Sequence, residues 1–129
     1  MFLGFMTVVT VLCVSATSPA CVTDDTDYHI VRHLSAVGYE INSPKLVSFR
    51  VFVTNLDELV TIQTRLRNMG MAVTVYDRPD GRTLVNGEIK MPLDSTRLSR
   101  IRCELVAFLE DHSAYYEGWG TGFHNTTNP

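Results

Sequence analysis

From Leu46 onward, two kinds of hydrophobic pattern follow one another along the chain in a defined order. Four short runs alternate apolar and polar residues, which is typical of half-buried strands, and two longer runs repeat apolar residues at helical spacing. The order is strand, helix, strand, strand, helix, strand. With right-handed crossovers, this βαββαβ order predicts an α+β fold, a ferredoxin-like sandwich whose antiparallel four-stranded sheet carries its helices on one face.

Capping and turn residues predict where these elements begin and end. Asn55 and Glu58 have the spacing of a helix capping box, and Asp94 or Ser95 can cap the second, long helix. The Pro79-containing turn at 78–81 predicts a hairpin between the middle strands. The strands are therefore predicted near 46–53, 71–76, 83–91 and 115–124, and the helices near 55–70 and 95–112.

A short amphipathic helix is predicted ahead of this domain, from Asp24 to Val37. Thr26 or Asp27 can cap it, and Gly38 suits the position after its end. Its apolar stripe is predicted to consist of Ile30, Val31, Leu34 and Val37. The predicted organisation is thus a helix and linker at 24–45, the sandwich domain at 46–124 and a polar tail at 125–129.

Residues 1–23 form an apolar leader whose first 22 residues carry no charge. Its dense part is shorter than the ~20 residues that a membrane-spanning helix needs, and its length suits a signal peptide. No Lys or Arg precedes the apolar run, although signal peptides normally have one. Two interpretations stay open: an export signal, or a start codon assigned too far upstream. A membrane partner is expected only if the leader is retained.

Composition restricts the classes of partner and the chemistry. The 129 residues suffice for one domain, and the net charge of −3 disfavours non-specific binding to phosphate backbones while suiting a basic partner.

Cys13, Cys21 and Cys103 are far apart and lack metal-site spacing, so neither a disulfide framework nor a zinc site is predicted. His29 and His33 are four residues apart, but a solvated helix face explains them better than a metal site. No carboxylate pair or nucleophile elbow is found, so we expect no catalytic residues and no cofactor.

The closing segment, Tyr115-Tyr116-Glu117-Gly118-Trp119-Gly120-Thr121-Gly122-Phe123, is the most distinctive stretch of the chain. It resembles the end of the bacterial regulator of ribonuclease activity B family, the ribonuclease E inhibitor domain, and the resemblance covers roughly residues 27–124. The resemblance implies a non-catalytic cytoplasmic protein that binds an endoribonuclease, masks it sterically and restrains RNA decay. This chain is less acidic than the ribonuclease-binding members and lacks their charged N-terminal helix. If the leader is an export signal, a cytoplasmic ribonuclease cannot be the partner.

The candidate partner-binding residues lie in that segment: Tyr116, Glu117, Gly118, Trp119, Gly120, Thr121 and Phe123. Strict alternation would place Gly118, Gly120 and Gly122 on one face, either as a shallow groove for a partner or as a surface on which a helix packs closely. The opposite face would carry Trp119 and Phe123. They form an exposed aromatic patch if that face lies away from the helices, and belong to the core if it does not.

Two alternative functions follow from other features of the chain. Ferredoxin-like sheets include RNA-binding modules, and Phe52 and Tyr76 are candidate outward aromatic residues with Arg50 nearby. The third strand, however, offers Asn86, Glu88 and Lys90 where stacking rings would be needed, so direct nucleic-acid binding is not expected. The second alternative is an exported domain that binds a small ligand or a protein.

Overall fold

The structure is a computed structural model that describes residues 26–121 of the chain. The predicted leader, the polar tail, Gly122 and Phe123 lie outside these residues. The elements, in chain order, are α1 (Thr26–Ala36), β1 (Lys45–Val53), a 3-10 turn (Leu56–Glu58), α2 (Leu59–Asn68), β2 (Ala72–Asp77), β3 (Thr83–Met91), α3 (Ser95–Leu109) and β4 (Ala114–Thr121).

The four strands form one antiparallel sheet in the order β2-β3-β1-β4, which confirms the α+β, ferredoxin-like prediction. The two central strands, β1 and β3, are the longest, and β2 and β4 are the edges. The predicted cap at Asp94 and the predicted hairpin turn also form, whereas the Asn55/Glu58 capping box does not: Asn55 accepts a hydrogen bond from the Asp57 amide, but the Glu58 side chain accepts one from the Ser113 amide. The Asp94 side chain accepts a hydrogen bond from the Thr96 amide, and Gly81 adopts a positive φ of 88° in the hairpin turn. Within the described residues, no helix has the length and apolarity to cross a membrane.

The core lies between the sheet and its helices. Alternate residues of β1 (Val47, Phe49, Val51 and Val53) are at most 1% exposed. The helices cover them with Ile62 and Leu66 from α2 and with Leu98, Ile101 and Leu105 from α3. The apolar stripes predicted for α2 and α3 therefore supply the helical half of the core.

Close packing of Met71, which follows α2, against the sheet depends on Gly87, in the middle of β3. A Cβ built at this position would lie 2.6 Å from the Met71 sulfur and 3.5 Å from a methyl carbon of Leu66. For the glycines of the last strand, close helix packing was one of two predicted roles. At Gly118 no heavy atom lies within 4 Å of a Cβ built there, so the close approach is found at Gly87 and not at Gly118.

Two sequence predictions near α1 and α3 are wrong. In α1 the buried stripe is Asp27, Val31 and the half-buried Leu34, whereas Ile30 and Val37 are 40% and 64% exposed. Asp27 is therefore an inward-facing helical residue and not the helix cap. Cys103 of α3 is disulfide-bonded, although the sequence predicted no disulfide framework.

A bulge in β4 changes which of its side chains share a face. Arg50 of β1 pairs with Gly118 while the next residue, Val51, pairs with Tyr116, so Glu117 is the extra residue. Tyr116 and Trp119 consequently both lie opposite core residues of β1, and Tyr115 lies on the other face, opposite Phe52. The strict alternation assumed from sequence is wrong at this point.

Candidate functional site

A buried carboxylate joins α1 to both α3 and β4. Asp27 is 2% exposed, and its Oδ2 accepts hydrogen bonds from Nε of Arg102 at 2.8 Å and from Oγ of Ser99 at 2.9 Å. Its Oδ1 accepts a third from the indole Nε1 of Trp119 at 2.8 Å. Burying a charge is costly unless it is paired and hydrogen-bonded, and here the cation and two neutral donors satisfy it. This arrangement fixes the position of α1 against the sheet edge.

A cleft of about 520 Å³ lies beside this carboxylate, between α1, α3 and β4. Its wall is mainly apolar, with Ile30 from α1 and Val106 from α3, and polar groups are restricted to a few points. The lining residues are Thr26, Asp27, Ile30, Arg50, Arg102, Val106, Tyr116, Glu117, Gly118 and Trp119. An apolar concavity with a few convergent polar groups is the usual form of a binding site.

Tyr116 contributes the distinctive polar atom of the cleft. Its hydroxyl oxygen is buried and has no hydrogen-bond partner among residues 26–121. Burial, reinforced by the nearby Asp27 carboxylate, raises the pKa of this hydroxyl well above its ordinary value of 10.0, so it stays protonated at neutral pH. A protonated hydroxyl without a partner can donate one hydrogen bond and accept another once a movement of the cleft wall gives a partner group access to it.

Arg50 and Glu117 form the sheet-side rim of the cleft. Nε of Arg50 lies 3.2 Å from Oε1 of Glu117, and both side chains are more than a third exposed. An ion pair this exposed contributes little to stability. It does, however, present one positive and one negative group beside the apolar wall, where a partner can reach both.

Four of the seven candidate residues predicted from sequence line this cleft: Tyr116, Glu117, Gly118 and Trp119. Gly120 and Thr121 lie further along β4. The Thr121 hydroxyl lies 3.2 Å from the Tyr39 hydroxyl, which joins the end of the strand to the loop after α1. Phe123 lies outside the described residues. Trp119 is half-buried and directed towards the helices, so it belongs to the wall of the cleft and not to a patch on the open face.

Gly118 lines the cleft and also has a conformational role that the sequence did not indicate. Its φ of 147° is one that L side chains rarely adopt, and no heavy atom lies within 4 Å of a Cβ built there. Close helix packing is therefore not its function. Glycine permits the bulge, and the bulge turns Tyr116 towards the cleft.

The opposite, helix-free face of the sheet is partly covered by the hairpin turn. The Arg82 guanidinium lies 4.1 Å from the centre of the Phe52 ring, and its Nη1 donates a hydrogen bond of 2.6 Å to the Tyr115 hydroxyl. Hydrogen bonds from Arg82 also hold the pKa of Asp80 below its ordinary range. Phe52 is only 4% exposed, so its ring is not available for a base to stack on it.

Sequence reasoning missed the α1 and α3 sides of the cleft. Asp27 and Arg102 are 75 residues apart, and no local pattern pairs them. One signal was present: Asp27 lies four residues before Val31 and seven before Leu34, so all three share one stripe of a helix. Within the described part of the chain, no group of three or more His, Cys, Asp or Glu side chains is arranged to hold a metal ion.

The chain matches a known protein family over most of its length. Residues 24–121 match the family model described as regulator of ribonuclease activity B, and this range includes α1, the cleft and all four strands. A search of curated proteins finds no match for the chain.

Proposed function

Because the chain belongs to the regulator of ribonuclease activity B family, we propose that it is a non-catalytic protein that binds an endoribonuclease of the ribonuclease E type and lowers its activity by steric masking. The proposed contact surface is the cleft between α1, α3 and β4 together with the β4 edge. It consists of Tyr116, Glu117, Gly118, Trp119, Gly120 and Thr121, with Phe123 beyond the described residues.

The observation that supports this surface most strongly is the unpartnered, protonated hydroxyl of Tyr116 in the cleft wall. Leaving a buried polar group unsatisfied costs free energy in the isolated protein, and a partner that supplies a hydrogen bond recovers it. The occupant that fits is a side chain of the ribonuclease with an apolar body and a terminal hydrogen-bonding group. The apolar body would contact Ile30 and Val106, and the terminal group would reach the buried Tyr116 hydroxyl once binding moves the cleft wall.

The chemistry of the cleft favours binding over catalysis. Both oxygens of the Asp27 carboxylate already accept hydrogen bonds from protein donors, which leaves it poorly placed to take a proton from a substrate. The raised pKa of Tyr116 makes its hydroxyl a weak acid at neutral pH. General acid–base catalysis works best with groups whose pKa lies near the working pH, and burial moves the pKa of Tyr116 away from it. Steric masking needs no such group.

Direct RNA binding through the sheet is less well supported. Of the two candidate rings, Tyr76 is exposed on the open face as predicted, but Phe52, on a central strand, is covered by Arg82 and is 4% exposed, so the sheet lacks the paired exposed rings of an RNA-binding surface. The net charge of −3 also opposes the approach of a phosphate backbone.

A cleavage assay tests the proposal. A ribonuclease E-type enzyme cuts a labelled RNA oligonucleotide while the concentration of this protein is raised, and binding of the two proteins is measured in parallel. We expect the cleavage rate to fall as more of the enzyme is bound and to level off when binding saturates. RNA incubated with this protein alone should stay intact. Tyr116→Phe removes only the hydroxyl and should weaken binding about three- to tenfold, as expected for one hydrogen bond.

Tyr76→Phe is the matched control, because Tyr76 is 48% exposed on the open face of β2, away from the cleft. It should bind and inhibit as the unmodified protein does. If the unmodified protein neither binds nor inhibits the enzyme, the proposed function is wrong. If Tyr116→Phe behaves like Tyr76→Phe in a folded protein, the cleft is not the contact surface.

A further inference from the structure

A second groove, separate from the cleft, lies between α2 and α3. Helix α2 packs on β2 and β3, whereas α3 packs on α1 and β4, so the two helices diverge over the middle of the sheet. The groove has a volume of about 390 Å³. Its lining residues are Arg65, Asn68, Met69, Ile89, Arg97, Arg100, Ile101 and Glu104.

Positive charge is concentrated on the walls of this groove. Arg65 comes from α2, Arg97 and Arg100 come from α3, and Glu104 is the single acidic residue of the lining. The groove therefore carries a net charge of about +2 on a chain whose net charge is −3. Gathering like charges is unfavourable unless an anionic group offsets them.

The arginines of the groove lack anionic partners within the described residues. No carboxylate among residues 26–121 forms an ion pair within 4.0 Å of Arg65, Arg97 or Arg100. The Nε of Arg65 is buried and has no hydrogen-bond acceptor there either. Its guanidinium is held 5.1 Å from the centre of the Phe108 ring, so the cation is positioned before any ligand arrives.

The floor of the groove is apolar. Ile101 is 8% exposed, and the half-buried Met69 and Ile89 lie beside it. Cationic walls above an apolar floor complement a segment that carries carboxylates and aliphatic side chains on one face. Guanidinium groups match carboxylates particularly well because their planar donors can form two parallel hydrogen bonds.

We propose that the groove between α2 and α3 binds an acidic segment of a partner protein that alternates carboxylate and aliphatic side chains. This proposal rests on the proposed function only in taking the partner to be a protein. A nucleic acid also offers anions to arginine, but the groove lining holds no aromatic ring for base stacking. The negative charge of the whole chain further favours a short acidic peptide over a long phosphate backbone.

The test uses the full chain and a short labelled peptide in which two glutamates alternate with one leucine. Binding is followed by fluorescence anisotropy at two salt concentrations. The same measurement is made with a control peptide in which glutamine replaces each glutamate, and with a single-stranded RNA oligonucleotide. We expect the glutamate peptide to bind more tightly than the glutamine peptide and the RNA. Its affinity should fall as the salt concentration rises.

The double variant Arg97→Gln with Arg100→Gln should weaken glutamate-peptide binding about five- to tenfold, since it removes two exposed charge contacts. Arg32→Gln with Arg67→Gln is the matched control. It changes the net charge equally with two exposed arginines that do not line the groove, and it should bind as the unmodified protein does. Thermal melts of both variants establish that they are folded.

The proposal is wrong if the glutamate and glutamine peptides bind equally tightly, or if the two double variants lose the same amount of peptide affinity. It is also wrong if the RNA binds more tightly than the glutamate peptide and its binding depends on Arg97 and Arg100. Ribonuclease inhibition is measured on the same samples. If inhibition persists while the peptide fails to bind, the acidic-segment proposal is wrong and the proposed function stands. If the peptide binds but inhibition is absent, the proposed function is wrong instead.

Discussion

Asp27 shows how one residue can determine the position of a whole helix. An acidic residue near a helix start normally caps the helix or stabilises its positive end, and the sequence made Asp27 one of two candidate caps, with Thr26. In the structure it is buried and bound to Arg102, Ser99 and Trp119. The sequence could not reveal this role, because both partner elements follow it by more than 70 residues.

Asp27→Ala should lower the free energy of unfolding by roughly 3 kcal/mol, because it breaks a buried ion pair with Arg102 and removes the hydrogen bonds from Ser99 and Trp119. The Arg102 side chain is only 10% exposed, so water cannot replace the lost partner well. Urea denaturation measures the change. Asp111→Ala, at an exposed turn position, is the control and should change stability by less than about 0.5 kcal/mol. Equal stabilities of the two variants would contradict the structural role of Asp27.

Tyr116→Phe should leave stability at neutral pH within about 1 kcal/mol of the unmodified protein, because the hydroxyl it removes has no partner to lose. At alkaline pH the two proteins should diverge. The pKa of Tyr116 is higher in the folded state than in the unfolded chain, where it has its ordinary value of 10.0. The contribution of this hydroxyl to folding stability is therefore complete at pH values below 10.0. That contribution is lost as the pH rises through the folded pKa.

Denaturation series at increasing alkaline pH should therefore show a shallower decline for Tyr116→Phe than for the unmodified protein. Tyr76→Phe serves as the control, because Tyr76 is 48% exposed, and its decline should match that of the unmodified protein. Parallel declines in all three proteins would mean that the Tyr116 hydroxyl is not buried in solution.

Among the elements, β4 contributes most to the cleft, and its bulge is the feature that local pattern could not predict. Periodicity identified a strand with a central tryptophan, and β4 is present at Ala114–Thr121. Strict alternation places Tyr115 on the same face of the strand as Trp119. In the structure the bulge at Glu117 places Tyr116 on that face and Tyr115 on the other. A bulge depends on pairing with the neighbouring strand, so it is visible only once β1 and β4 are aligned.

Gly118→Ala should cost roughly 1 to 2 kcal/mol of stability, because a side chain is strained at a φ of 147° whatever the surrounding space. Glu117→Ala, at the adjacent bulge position, is the control. It removes only an exposed ion pair with Arg50 and should cost less than about 0.5 kcal/mol. Thermal and urea denaturation compare them. A Gly118→Ala protein as stable as Glu117→Ala would exclude the strained bulge.

For the whole molecule, the sequence predicted the architecture better than the surfaces. The βαββαβ order follows from local apolar patterns, caps and a turn, and the sheet order β2-β3-β1-β4 agrees with it. The cleft and the arginine groove depend instead on how helices sit relative to one another. Arg65 and Arg97 are 32 positions apart in sequence and share a groove only because α2 and α3 both lie on one face of the sheet.

The two surfaces divide the helical side of the molecule between them. The cleft at β4 offers an apolar wall with one unpartnered hydroxyl, and the groove between α2 and α3 offers cations above an apolar floor. A ribonuclease that contacted both would be covered over a wide area, which is what steric masking requires. The hairpin side, where Arg82 covers Phe52, is expected to face away from the enzyme.

Hydrogen–deuterium exchange of the protein, free and in complex with a ribonuclease E-type enzyme, can locate the contact surface without any substitution. We predict that complex formation slows exchange in the first turns of α1 and along β4, the two segments that border the cleft. Exchange at the β2 edge and the hairpin turn should stay unchanged. Slower exchange confined to β2 and the hairpin, with α1 and β4 unaffected, would contradict the proposal that the cleft binds the ribonuclease.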